Sequence, residues 1–351
     1  MIKRLLVWGV WVLPFSIWGA FDVQFTPDGP VTQKNAKKDP AFTPIEGLVA
    51  VPWTDLRREP APVSPDAGSQ SPYAIDRNQE TQLLFGESVL ILEVKGGWAR
   101  VEAPDQAEFT HAGRWQGYPG WVSSEALMAQ PSNFFPSAVV ISRYGRVKQS
   151  KKHSSSFMVL PMGARVGVIY SEKAWVRVQG PRGEMGWMRE SDVRLDRKAP
   201  TQTDEVRQAL LHAARQFLGD PYYWGGRTAH TKKSGTPSGV DCSGLVNVAY
   251  RTVALNAPRD AHEQFLLAHP LEKADSLQPG DLVFLAKKSA PHHIVHVMMY
   301  EKKETLIEAV YEFNTVRRVT FKKKLGFAQK GLLSGREVGD SIVRFGTFLE
   351  K

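Results

Sequence analysis

A short pattern that occurs twice in the first two hundred residues constrains this chain most. Gly97-Trp98-Ala99-Arg100-Val101 is followed by Gly120-Trp121-Val122, and Ala174-Trp175-Val176-Arg177-Val178 by Gly186-Trp187-Met188. Each copy reads as a Trp-x-x-Val strand, a turn and a Gly-Trp strand. Apolar and polar residues also alternate over 88–94 in the first copy and over 138–141 and 164–170 in the second, which is the period of half-buried strands. The 29 glycines and 23 prolines suit short strands joined by turns. A divergent repeat of two small β-barrels is therefore expected, over 47–130 and 137–195. The tryptophans are expected to anchor their cores, because an indole is the large apolar mass a small barrel needs.

Before the repeat, Lys3 and Arg4 precede the run Leu5-Leu6-Val7-Trp8-Gly9-Val10-Trp11-Val12-Leu13-Pro14-Phe15, and the small Gly19 and Ala20 follow. A basic start, a short apolar core and small residues at its end are the marks of an export signal, expected over 1–20. The run is shorter than the roughly 20 residues a membrane span needs, so stable membrane insertion is not expected. Residues 21–46, broken by Pro27, Pro30, Pro40 and Pro44, read as an extended arm. Basic residues number 45 and acidic ones 36, a net charge of +9. That balance permits an anionic partner without choosing one. No basic block stands beside an aromatic ladder, so nucleic acid is not expected as a partner. The sequence sets no oligomeric state.

After a polar hinge at 196–203 the pattern changes. Val206, Ala209, Leu210, Ala213, Ala214 and Phe217 recur at threes and fours, with Asp204 as N-cap and Gly219 and Pro221 as the stop. A second helix is expected to start near Cys242, burying Leu245, Val246, Ala249 and Tyr250. Strand candidates follow at 281–285, 294–300 and 305–310. Helices before antiparallel strands indicate an α+β domain over 203–351.

Cys242 is the chain's one cysteine, which excludes an intrachain disulfide and argues against a cysteine-rich metal site. Its flanks, Asp241, Ser243 and Gly244, are polar or small, unlike those of a core thiol. At a helix start the dipole and free N–H groups favour the thiolate. Asp241 opposes that charge, so another task is expected of it, such as binding a substrate cation. A nucleophilic cysteine needs a base. His296 sits between Val295 and Val297 on an apolar strand. Metal binding by His292, His293 and His296 is the alternative, but two of these are adjacent and no second ligand set is visible, so no metal or cofactor is expected. Glu308, twelve residues on across a hairpin, is a carboxylate within an apolar strand. Such a group is costly unless paired, and it is placed to orient His296; a solvent-facing glutamate is the competing reading. His111, His153 and His230 read as solvated, and His212 as structural.

The strings Tyr223-Trp224-Gly225-Gly226, Asp241-Cys242-Ser243-Gly244-Leu245-Val246, Pro258-Arg259-Asp260, Pro279-Gly280-Asp281-Leu282-Val283-Phe284 and His296-Val297 in this order resemble the NlpC/P60 family of papain-like cysteine peptidases. Within it, the chain is similar to members preceded by two bacterial SH3-like domains, the γ-D-glutamyl-L-diamino acid endopeptidases. The resemblance covers 203–351 and extends back to about residue 47. It implies Cys242 as nucleophile, His296 as base and Glu308 as the third polar residue, where histidine is commoner. It also implies a substrate pocket for a free peptide N-terminus. Asp241 would take the ammonium and Ser243 would line the pocket. Tyr118 and Glu80 would close it from the first SH3-like domain, with Tyr223, Trp224, Arg259 and Asp260 around it. Ala261 replaces a serine often found there. The implied reaction is hydrolysis of the γ-D-glutamyl–diamino acid bond of peptidoglycan stem peptides with a free L-Ala end. Alternatives are another wall hydrolase on the same fold, an amidase or an endopeptidase on intact stems, and a non-catalytic wall-binding protein.

Overall fold

The computed structural model of the protein describes residues 42–62, 75–231 and 237–349. The export signal over 1–20 and the arm as far as residue 41 lie outside the described residues. Of the rest of that arm, residues 45 and 46 already belong to the sheet, because β1 begins at Ile45.

The first sheet holds β1 (Ile45–Val49), β2 (Trp53–Arg57), β3 (Gln79–Leu84), β4 (Ser88–Lys95), β5 (Trp98–Glu108), β6 (Gln116–Ser123) and β7 (Leu127–Ala129). Its order is β3-β2-β6-β5-β4-β1-β7. The next segment holds β8 (Ala138–Val140), β9 (Tyr144–Val147), β10 (Met158–Pro161), β11 (Arg165–Glu172), β12 (Trp175–Gln179), β13 (Met185–Arg189) and β14 (Val193–Leu195). Here β13-β12-β11-β8-β14 form one sheet, and β9 and β10 form a ribbon of their own. Pairing runs from edge to edge in both cases. The expectation of two barrels is met as two antiparallel β-rich units rather than as closed barrels.

The cores of these units correct the expectation for the tryptophans. Ala99, Val101 and Val122 fill the first core, and Val176, Val178 and Met188 the second. Trp98, Trp121, Trp175 and Trp187 stand one residue out of phase and are only half-buried. With a side-chain period of two, a strand that buries its valines must turn the neighbouring indole to the other face. On that face the second unit's indoles carry cations: Arg189 lies 4.0 Å over Trp175 and Lys151 lies 4.0 Å over Trp187.

The α+β segment opens with α1 (Thr203–Arg215), whose N-cap is Gln202; Asp204 lies in the first turn. The short pair β15 (Arg227–Thr228) and β16 (Gly239–Val240) leads into α2 (Cys242–Arg251), and α3 (Ala261–Leu267) follows. A sheet made of β17 (His269–Leu271), β18 (Leu282–Lys287), β19 (Ala290–Lys302), β20 (Thr305–Val310), β21 (Thr315–Thr320), β22 (Glu337–Val338) and β23 (Ser341–Thr347) completes it, with α4 (Phe321–Leu325) after β21. All ten residues of α2 are buried. A helix enclosed on every side is held by packing rather than by amphipathicity, and its first turn cannot drift.

The first sheet is bonded to this segment through buried charge. Arg227 donates to Glu87 at 2.8 and 3.0 Å and to the Gln82 carbonyl at 2.7 Å. Arg251, at the end of α2, reaches Asp105 at 3.1 Å and the Gly163 carbonyl at 2.8 Å. Gly225 has φ +71°, and a Cβ there would lie 2.9 Å from the Glu80 carbonyl oxygen, so only glycine allows this approach.

Candidate active site

Asp241 is the N-cap of α2. Its Oδ1 accepts from the Gly244 N–H at 2.6 Å, the N3 position that a capping carboxylate reaches. A side chain at Gly244 would meet the Gly226 carbonyl oxygen at 2.1 Å, which accounts for glycine there. Cys242 is thereby the first helical residue, 9% exposed.

His296 comes from β19. The register between β18 and β19 shifts where Leu285 pairs His296 and Ala286 pairs Ile294. Val295 is the extra residue of a bulge and is left exposed. Bulges re-aim the side chains beside them, and here the re-aimed residue is the histidine. On the other side, Met299 pairs Ile307, so Glu308 faces Met298 and lies diagonal to His296 on one face. His296 Nε2 and Glu308 Oε2 are 2.8 Å apart. The remaining ring nitrogen, Nδ1, is left for Cys242, which acts on the ring and raises its basicity.

Glu308 is completely buried, which removes the solvent-facing reading. Its Oε1 accepts from Arg317 at 3.0 and 2.9 Å, and Lys324 Nζ lies 2.6 Å from Oε2. Burial alone would push its carboxyl up. The hydrogen bond and charge of His296, with Lys324, outweigh burial and hold it at about 2. For His296 burial favours the neutral ring, but Cys242 and Glu308 win and raise it to about 9; Lys324 opposes them. Protonated imidazole is thus the resting form at neutral pH.

A second cluster joins the first sheet to the loop before α3. Tyr118 donates to Asp260 at 2.9 Å and lies 3.5 Å from Glu80. Glu80 is bound by Arg58 at 2.6 Å, with His111 Nε2 3.8 Å away. Asp260 stays 40% exposed. Burial, the foremost cause, raises its carboxyl to about 6 against the pull of Arg259. His111, expected to be solvated, instead bridges Glu80 and Glu108 and packs edge-on against Tyr118 at 5.2 Å. Those carboxylates raise its imidazole to about 9. Sequence reading missed it because Glu80, on β3, is brought to it only by the fold.

Several candidates sit differently from expectation. The Asp241 carboxylate, expected to await a substrate cation, is already matched: Arg259 reaches it at 2.7 and 3.1 Å and the Gly225 N–H at 2.9 Å. Ser243 Oγ belongs to the same buried network, 3.0 Å from Arg259 and 3.3 Å from Asp241. Tyr223 feels the charges of Asp55 and Arg57 on β2 and of Asp76 ahead of β3. Its neighbour Tyr222 is the tyrosine whose ionisation is opposed by Cys242 and Asp241 as well as by burial, so it stays a phenol beside the thiol. Trp224 fixes its indole N–H on the Gln79 carbonyl at 3.1 Å and leaves the residue 47% exposed. Among the other histidines, His212 lies on the exposed side of α1 and His293 stacks on His262 at 4.6 Å.

A sequence profile of the NlpC/P60 family matches residues 219–329. The gamma-D-glutamyl-L-lysine dipeptidyl-peptidase of Bacillus subtilis is 30% identical over 227 residues, 63% of this chain and 69% of its own length. The protein of that name from Bacillus cereus is 28% identical over 232 residues, 63% of this chain and 64% of its own length. The chain thus spans about two thirds of these relatives. A solved NlpC/P60 family structure from Bacillus cereus covers 87% of this chain with a TM-score of 0.69 at 22% identity, over 100% of its own length.

Proposed function

Because the chain belongs to the NlpC/P60 family, we propose that it is an exported cysteine peptidase that cuts the γ-D-glutamyl–diamino acid bond of peptidoglycan stem peptides bearing a free N-terminal L-Ala. The observation that carries the specificity is the Tyr118–Asp260–Glu80 cluster. Two of its members come from the first sheet, and its exposed carboxylate suits an ammonium group. Arg259 offsets Asp241, and Arg58 with His111 offsets Glu80. Asp260 has only the longer ion pair to Arg259, at 3.5 Å, and so is the least closely matched of the three anions. A peptide still joined to glycan through its N-terminus offers no cation there.

The reaction follows from the groups present. His296 holds the proton taken from Cys242, and the thiolate attacks the γ-glutamyl carbonyl carbon. The Cys242 N–H at the helix start serves the developing oxyanion, with the Tyr222 phenol as the candidate second donor. The imidazolium then passes its proton to the leaving amine of the diamino acid. Water, deprotonated by His296, hydrolyses the thioester and restores the thiol. Glu308 orients the ring throughout.

Mass spectrometry of products from L-Ala-γ-D-Glu-diamino acid peptides, free or N-acetylated, tests this. Cleavage of the free peptide alone, releasing L-Ala-D-Glu, is the expected result. Equal cleavage of both would favour an endopeptidase on intact stems. Activity retained by Cys242→Ala would overturn the mechanism.

A further inference from the structure

A fully buried carboxylate 2.8 Å from an imidazole creates a difficulty. Unshared, it would hold the imidazolium so tightly that passing a proton to a leaving amine becomes slow. The structure shares it. Both oxygens of Glu308 are occupied by cations other than His296: Arg317 on Oε1, Lys324 on Oε2. Arg317 is the cross-strand partner of Glu308 between β21 and β20. Lys324 belongs to the run Lys322-Lys323-Lys324, of which it alone turns inward. Phe321 and Leu325 bury α4 against the core, and Lys324, in its last turn, is drawn onto Glu308 while Lys322 and Lys323 stay exposed. Thr320 caps the helix through the Lys323 N–H, and Gly326 ends it at φ +78°.

We propose that Lys324 and Arg317 are positioning residues for His296, dividing the charge of Glu308 so that the carboxylate orients the ring without trapping its proton. This rests on the reading of Cys242 and His296 as the reactive pair. The charged and titratable groups around that pair are Cys242 on α2, Tyr222, the Asp241–Arg259 pair, Glu308 on β20, Arg317 on β21 and Lys324 on α4. His293, also on β19, is stacked on His262. Each variant below changes one of these groups and leaves the rest in place.

The test needs no peptide substrate. Iodoacetamide alkylates Cys242, and in the full chain its rate against pH, from about 4 to 11, carries an alkaline inflection where the imidazolium is lost. Lys324→Met removes a cation, so the inflection moves up by about one pH unit. Arg317→Met moves it the same way by less, and Lys324→Arg leaves it near the wild-type position. Glu308→Gln moves it down. Circular dichroism confirms that each variant is folded. An inflection that stays put in folded Lys324→Met and Arg317→Met, or that moves down, overturns the proposal. Should Lys324→Met not fold, Arg317→Met and the Lys324→Arg rescue decide it alone. A wild-type profile with no imidazole inflection would instead sink the reactive pair itself, so the two failures are distinguishable.

Discussion

Asp241 carries a different burden from the one its place in the sequence suggests. Next to a thiol it looks like a charge waiting for a ligand, yet Arg259 meets it at 2.7 Å inside the protein. On the proposed function the ammonium-binding charge falls instead to Asp260, held by Tyr118. Replacing Asp260 with Asn should raise KM for free-amine peptides about 10- to 100-fold, the worth of one charged hydrogen bond, and leave kcat nearly unchanged. The pH dependence follows from the carboxyl's rise to about 6. Ammonium binding needs the ionised form, so it is present above that pH and lost as pH falls through it. Steady-state KM measured from pH 5 to 8 should climb on the acid side; a flat KM would refute the assignment. At this scale the pairing of His296 with Glu308 was legible, because each is a costly residue in a strand that does not otherwise want it. Arg259 as the partner of Asp241 was not, since the two are joined only by the fold. Tyr222 was hidden by its neighbour: in an extended segment adjacent side chains face opposite ways, and Tyr223 is the one that feels the charges of Asp55 and Arg57 on β2.

The helix α2 shows how one element is held at its first turn. Asp241 both caps it and neutralises a buried guanidinium. Asp241→Ala therefore removes a cap, worth about 0.5–2 kcal/mol, and strands Arg259, at a further cost of about 3–5 kcal/mol. Urea unfolding should report a loss near the sum. Adding Arg259→Leu should return much of it, since no unpaired charge remains; a double variant as unstable as Asp241→Ala would refute this account. The start of α2 was legible from Asp-Cys-Ser-Gly against the apolar residues that follow. The bulge at Val295 was not, because a period-two pattern records that a strand exists and says nothing of an added residue. The same limit explains the tryptophans. Their repeat locates the strands correctly, but the face each indole takes is decided by which neighbours fill the core.

At the scale of the molecule, the first sheet is bonded into the α+β segment rather than appended to it. Its Thr81 accepts from Arg259 at 2.6 Å, its Glu87 neutralises Arg227, and its Asp105 pairs Arg251. Two β-rich units and an α+β segment are legible in the sequence as separate pieces, and buried arginines are among the groups that join them. Removing the partner of a buried ion costs about 3–5 kcal/mol, against a total stability on the order of 5–15 kcal/mol. Residues 203–351 expressed alone would strip Arg227 and Arg251 of their carboxylate partners and Arg259 of its Thr81 bond. Such a fragment should show no cooperative urea transition, and its Cys242 should react with iodoacetamide at the rate of a free thiol. In the full chain, Glu87→Gln alone should lower the unfolding free energy by about 3–5 kcal/mol, because Arg227 is wholly buried. A fragment that unfolds cooperatively and keeps the native alkylation profile would mean that these arginines can be resolvated without loss. The first sheet would then be needed only for Tyr118 and Glu80, that is, for choosing the substrate.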